Sequence, residues 1–244
     1  MIKKEYLIIL LLIIIIFAFS IAILNINSFN HSESTLNGNA QSSYEIIANS
    51  SDDPGSVEVI RNVGNPNANK IAYVVGVHPL ENLTHKTLLD LLPQQDNLNY
   101  CYDIYIINVT QDIGHYGDGS SDNSLGRQNG QNLAFKYVYP EIVNGSYELA
   151  VDVHSNVGAY PYKTFVFSPV KEGLSVKFAH EVADASDNIT YYSPDSTTSG
   201  PFLTVPLNEN GVPAFYYEEY SFAPQDVKDL HMLELIRGVD NLDL

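Results

Sequence analysis

The stretch Ile71-Ala-Tyr-Val-Val-Gly-Val77, followed at once by His78-Pro-Leu-Glu81, decides the fold. A run with no charge and no polar alternation reads as a strand covered on both faces, as in a parallel sheet flanked by helices. A second run, Tyr147-Glu-Leu-Ala-Val-Asp-Val153, ends in the same way on His154. In open α/β sheets the site lies outside the carboxyl ends of the strands. His78, Glu81 and His154 are therefore candidate metal ligands, and two imidazoles with one carboxylate leave a fourth zinc position open. Taken alone, His-x-x-Glu is a weak signal, since Glu81 also suits the first turn of a helix, where a carboxylate meets the positive end of the dipole. The second strand-end histidine shifts the balance.

Working outward, Asn82-Leu-Thr-His-Lys-Thr-Leu-Leu-Asp-Leu-Leu92 has helical apolar spacing, an Asn able to cap it, and Pro93 behind it. Tyr102 to Val109 reads as a strand, Gly114 to Gly126 as a surface loop of the kind that borders active sites, and Asn129 to Val143 as a helix. Past His154, strands are expected at Lys163 to Phe167, Ile189 to Tyr192, Phe202 to Val205 and Val212 to Tyr217. Helices are expected at Leu174 to Ala185 and Asp226 to Val239. This alternation predicts the α/β class, a mixed, mostly parallel sheet with helices on both faces.

The amino terminus reads differently. After Met-Ile-Lys-Lys-Glu the chain is apolar from Tyr6 to Leu24, about long enough to cross a bilayer. Lys3 and Lys4 favour keeping that end inside the cell, which would place the rest outside it. Residues 1–25 are thus expected to be a membrane anchor, or alternatively a cleaved signal followed by secretion, with Ala18-Phe-Ser20 as the cleavage site. Residues 26–64, rich in Asn and Ser, read as a flexible tether, and 65–244 as a single folded domain. The lone cysteine, Cys101, cannot form an intrachain disulfide and reads as a buried residue at a strand edge. A formal net charge of −17 argues against nucleic acid as a partner, which selects for clustered Lys and Arg.

Further candidates surround the ligand motifs. Asp152 lies two residues before His154, on the same side of the strand, where it can orient an imidazole. Late in the chain, Ala214-Phe-Tyr-Tyr-Glu218-Glu219 ends an apolar strand in two carboxylates. Glu218, on the face of Ala214 and Tyr216, is the expected general base, with Glu219 on the opposite face as the alternative. Arg127, where the loop enters its helix, is the expected partner of a carbonyl oxyanion or of a substrate carboxylate. His85, His115, His180 and His231 lack partners at ligand spacing and read as surface residues, while Tyr160 and Tyr162 are placed to line the cleft.

The ordered set of His-x-x-Glu, a loop Arg, Asp-x-His and a late strand ending in Glu resembles the zinc carboxypeptidase superfamily, including its succinylglutamate desuccinylase and aspartoacylase branch. The match spans Ile71 to Ser221. The resemblance implies a mixed, twisted sheet between helices. It also implies zinc on His78, Glu81 and His154, Glu218 as base, and Arg127 stabilising the oxyanion. The sequence departs from the family pattern in having Pro79-Leu80 between the first two ligands, and Gly126-Arg127-Gln128 where an Asn-Arg pair is usual. The chain is also short for the family. The expectation is an extracytoplasmic zinc hydrolase cleaving an amide bond in a peptide, an acyl amino acid or a cell-envelope peptide. The competing expectation is a catalytically inactive zinc- or ligand-binding surface domain.

Overall fold

The computed structural model describes residues 42–114, 122–195 and 197–244. They contain eight strands: β1 (Ser43–Ala48), β2 (Gly55–Gly64), β3 (Lys70–Val75), β4 (Cys101–Val109), β5 (Tyr147–Asn156), β6 (Phe165–Phe167), β7 (Thr190–Tyr191) and β8 (Ala214–Tyr220). All join one sheet in the order β1-β2-β4-β3-β5-β8-β6-β7. The central four, β4, β3, β5 and β8, run parallel, and antiparallel pairings occur at β1 with β2, β2 with β4, and β8 with β6.

The apolar run of β3 buries both of its faces, as its composition requires. Ile71, Tyr73 and Val75 join the core on one side, and Ala72, Val74 and Val77 join the core on the other. Three helices cover the first side: α1 (Asn82–Leu91), α4 (Leu174–Asp184) and α6 (Gln225–Asp240), which contribute Leu88, Val182 and Leu235. The second side carries α2 (Asp122–Leu133), which continues through a π-helical turn, Ala134–Val138, into α3 (Tyr139–Asn144). The short α5 (Thr204–Glu209) lies there too. Alternate residues along each buried strand thus feed two separate apolar layers.

Several sequence expectations are corrected. The stretch 26–64 is not a tether over its described part, because β1 and β2 belong to the sheet: Val57 and Val59 are fully buried beneath the second layer. Alternation along Gly55–Gly64, buried against half-buried, is the signal that its Asn and Ser content obscured. Phe202–Val205 is not a strand; Gly200–Phe202 forms a 3-10 turn and α5 begins at Thr204. Leu203 and Leu207, four apart, bury together, and Pro206 stands in the first turn, where a helix tolerates it. The helix carrying Arg127 starts at Asp122, so the loop ends earlier than its glycines suggested.

The apolar segment Tyr6–Leu24, the start of the stretch 26–64 and His115 lie outside the described residues. Among the described residues no helix is long and apolar enough to cross a membrane.

Candidate metal centre

Each ligand candidate is delivered by the end of a central strand. Past Val75 the chain crosses close over β4 at Gly76, whose φ is +89°. A Cβ there would lie 1.9 Å from the Ile107 carbonyl oxygen, so only glycine allows this path. His78 follows, and the 3-10 turn Pro79–Glu81 swings Glu81 back beside it. His154 stands near the end of β5, in the layer of Ala150 and Asp152.

The three side chains meet inside the protein. His78 Nδ1 lies 2.9 Å from Glu81 Oε1, His154 Nδ1 lies 2.9 Å from Glu81 Oε2, and the two Nδ1 atoms are 2.9 Å apart. All three residues are buried, and they form the one group of this kind among the described residues able to hold a metal ion. Two imidazole nitrogens facing each other at that distance repel unless a proton or a cation sits between them. The donor set, neutral nitrogen twice and carboxylate once, suits zinc.

Outer contacts fix the orientation of these donors. With Nδ1 of both rings turned inward, Nε2 of each faces a supporting group. His154 Nε2 is 3.0 Å from Asp152 Oδ1, off the line of a hydrogen bond but at ion-pair distance. His78 Nε2 is 3.2 Å from the Gln131 amide nitrogen, whose N–H donates to that ring nitrogen when it is unprotonated; the same amide, turned over, would accept from Nε2–H once Nδ1 binds a cation. The backbone N–H of Ser155 donates to Glu81 Oε2 at 2.9 Å. Gln131 was not singled out from sequence, though its spacing of four from Arg127 places both on one helix face. Helix α2 approaches closely enough to bring them in because Gly130 packs on the strand end: a Cβ there would lie 2.1 Å from the Val77 carbonyl oxygen.

The metal-free electrostatics are divided between the two histidines. Burial pushes His78 down to about 4, so its ring is neutral near pH 7. Burial also opposes charge on His154, but Asp152 and Glu81 outweigh it and raise that ring well above its ordinary value. Burial likewise opposes ionisation of Glu81, yet His78 and His154 hold its carboxyl well below the usual range. In this state a proton on His154 takes the place of the cation.

A cavity of about 200 Å³ opens over this group, lined by His78, Glu81, Arg127, Ser155, Tyr160 and Glu218 among others. Glu218 pairs in register with His154 across β5 and β8 and points into it. Its Oε2 is enclosed without a hydrogen-bond partner among the described residues. Burial, then Glu81 and Asp152, push its carboxyl up to about 8 against the pull of His154 and Arg127. Glu219 faces the other way: it is buried with Tyr217, Thr164 and His231, at 2.6, 3.1 and 2.9 Å. Arg127 reaches Glu81 Oε1 through Nη1 at 3.3 Å and Thr198 Oγ1 through Nη2 at 3.0 Å. It sits in the second turn of α2, one step inside the helix rather than at its start.

Two of the histidines expected at the surface are not there. His85 is buried under β3 and β5, and His231 is bound to Glu219, whereas His180 is exposed and stacks on Tyr191. Tyr160 lines the cavity, while Tyr162 is exposed and packs at a tilt against Tyr192.

No protein-family model and no curated protein matches the sequence. Solved structures match its fold. The cell shape determinant Csd4 of Helicobacter pylori, solved with a bound tripeptide, superposes with a TM-score of 0.53 at 13% identity. The match covers 75% of this chain and 54% of that one, so this chain spans about half the length of Csd4. A candidate metallopeptidase from Shewanella baltica OS155 superposes with a TM-score of 0.51 at 10% identity, over 82% of this chain and 85% of the other. The chain has the zinc carboxypeptidase-like fold, the class that its ordered motifs implied.

Proposed function

We propose that this protein is a zinc-dependent hydrolase that cleaves an amide bond. The observation that carries this reading is the placement of Glu218 beside His154, facing a cavity lined by His78 and Glu81, with which the buried His154 forms one group of metal donors. Zinc held by those three residues would supply Lewis acidity toward a carbonyl and toward water. A cation on those residues would counter the burial that raises Glu218 to about 8 in the metal-free site and leave its carboxylate ionised; Glu218 then takes a proton from the attacking water and returns it to the leaving nitrogen. Arg127, anchored on Glu81 and Thr198, offers its guanidinium to the negative charge that develops on the carbonyl oxygen. Asp152 and Gln131 hold the two imidazoles in the orientation that turns Nδ1 inward.

The substrate is a peptide, an acyl amino acid or a cell-envelope peptide. A tripeptide bound to a protein of like fold supports the peptide class. The apolar stretch Tyr6–Leu24 supports an extracytoplasmic location, anchored or secreted.

The test is zinc per molecule in the purified protein and in a His78→Ala, His154→Ala double variant, together with turnover of a panel of peptides and acyl amino acids. Zinc near one per molecule in the wild type only, and turnover abolished by chelation, is the expected result. No zinc uptake at neutral pH would sink the proposal.

A further inference from the structure

Parallel pairing between β3 and β5 ends at Val74 with Asp152. Past that point the two strands separate, and it is there that they deliver His78 and His154. The gap between them is filled from beneath by His85 of α1. Its Nε2 donates to the Val153 carbonyl oxygen at 3.1 Å, and with the proton so placed the Gly76 amide nitrogen, 3.5 Å away, is a packing contact rather than a second hydrogen bond. One ring therefore touches the backbone two residues before the first ligand and one residue before the third. Gly76 has no freedom to move away, since the Ile107 carbonyl closes it in from the β4 side.

Burial of an imidazole costs free energy unless its polar atoms are satisfied. A leucine would fill this space more cheaply if packing alone were needed, as Leu88 does one turn further along α1. The proton on Nε2 gives His85 what a leucine lacks, a directed bond to Val153.

We infer that His85 is a positioning residue for the metal centre, bridging the ends of β3 and β5 so that His78 and His154 stay at the separation one cation requires. This rests on the metal-binding reading above. Parallel strands with no ladder between them are free to spread, and a spread of even a fraction of an ångström displaces both imidazoles from a common ion. Asp152 and Gln131 orient the rings about their own axes; His85 sets the distance between the backbones that carry them.

The experiment measures the zinc dissociation constant by chelator competition for the full chain and for His85→Leu, His85→Gln and Leu88→Ala, with the thermal midpoint of each zinc-free protein. His85→Leu is expected to weaken zinc binding roughly 10–100-fold, the range for groups supporting metal ligands. His85→Gln, whose amide can donate to Val153, is expected to recover most of that loss. Leu88→Ala is expected to lower the midpoint and leave zinc affinity within about twofold, since large-to-small changes in a core act on stability through the lost contacts and the cavity. If His85→Leu does not fold, His85→Asn, too short to reach Val153, takes its place. Wild-type affinity in His85→Leu, or an equal loss in Leu88→Ala, overturns the inference while the metal centre stands. Absence of zinc binding in the wild type overturns both readings together.

Discussion

His154 and Glu218 are register partners on adjacent parallel strands, so the innermost ligand and the candidate base are held by the same ladder. Neither can shift along its strand without breaking the pairing from Ala150 to Asn156. A one-residue slip of β8 would bring Glu219 into the cavity and turn Glu218 toward Thr164 and His231.

Glu218→Gln keeps the shape and removes the base. Turnover is expected to fall by about 10²- to 10⁴-fold, the usual contribution of a positioned proton acceptor, with zinc content unchanged. Steady-state kinetics alongside metal analysis checks both halves. An active Glu218→Gln enzyme would remove Glu218 from the mechanism.

Zinc must displace the proton that the metal-free site keeps on His154, whose pKa is raised. Affinity should therefore fall as pH drops through that raised value, and binding near neutrality should release a proton. Calorimetry in buffers of different ionisation enthalpy reads the number directly. Binding without proton release would mean that His154 is neutral in the metal-free protein.

Gly76→Ala forces a methyl group against the Ile107 carbonyl and leaves an alanine at a φ of +89°. A loss of roughly 1–3 kcal/mol from the backbone alone is expected, more if the strand end cannot move aside. Denaturant unfolding of the zinc-free protein measures it. A stability within about 0.5 kcal/mol of wild type, the range for neutral surface changes, would show that the crossing over β4 is not tight.

The Glu219 hydrogen bond raises the pKa of His231. A raised folded-state value means that the charged pair stabilises fully below the unfolded value of about 6.5, and that this stability is lost as pH rises through the folded value. His231→Gln should thus be less stable than wild type at pH 6, with the difference shrinking by pH 9. Urea midpoints at the two values test the sign; a gap that widens with pH would contradict it.

The residues of the centre were legible because each stands in a chemically distinct short motif. His78 and Glu81 follow an uninterrupted apolar run, His154 ends a second, and Glu218 closes a third. The supporting residues were not. Gln131 and His85 sit in helices whose apolar spacing explains the sequence without them, so nothing local marks either as facing the site. The strands β1 and β2 were hidden by composition, because the edge strand β1 and the half-buried face of β2 beside it carry the polar residues that also make tethers.

By itself the sequence determined the class of fold and the donor residues that the strand ends bring together. Buried parallel strands require continuous apolar runs, and metal ligands require particular side chains. Only the tertiary structure decided which carboxylate faces the ligands, how far His78 stands from His154, and which residues hold that distance. These follow from strand register and from the packing of α1 and α2 against the strand ends. Both are sums over contacts between residues distant in the chain, which no local pattern records.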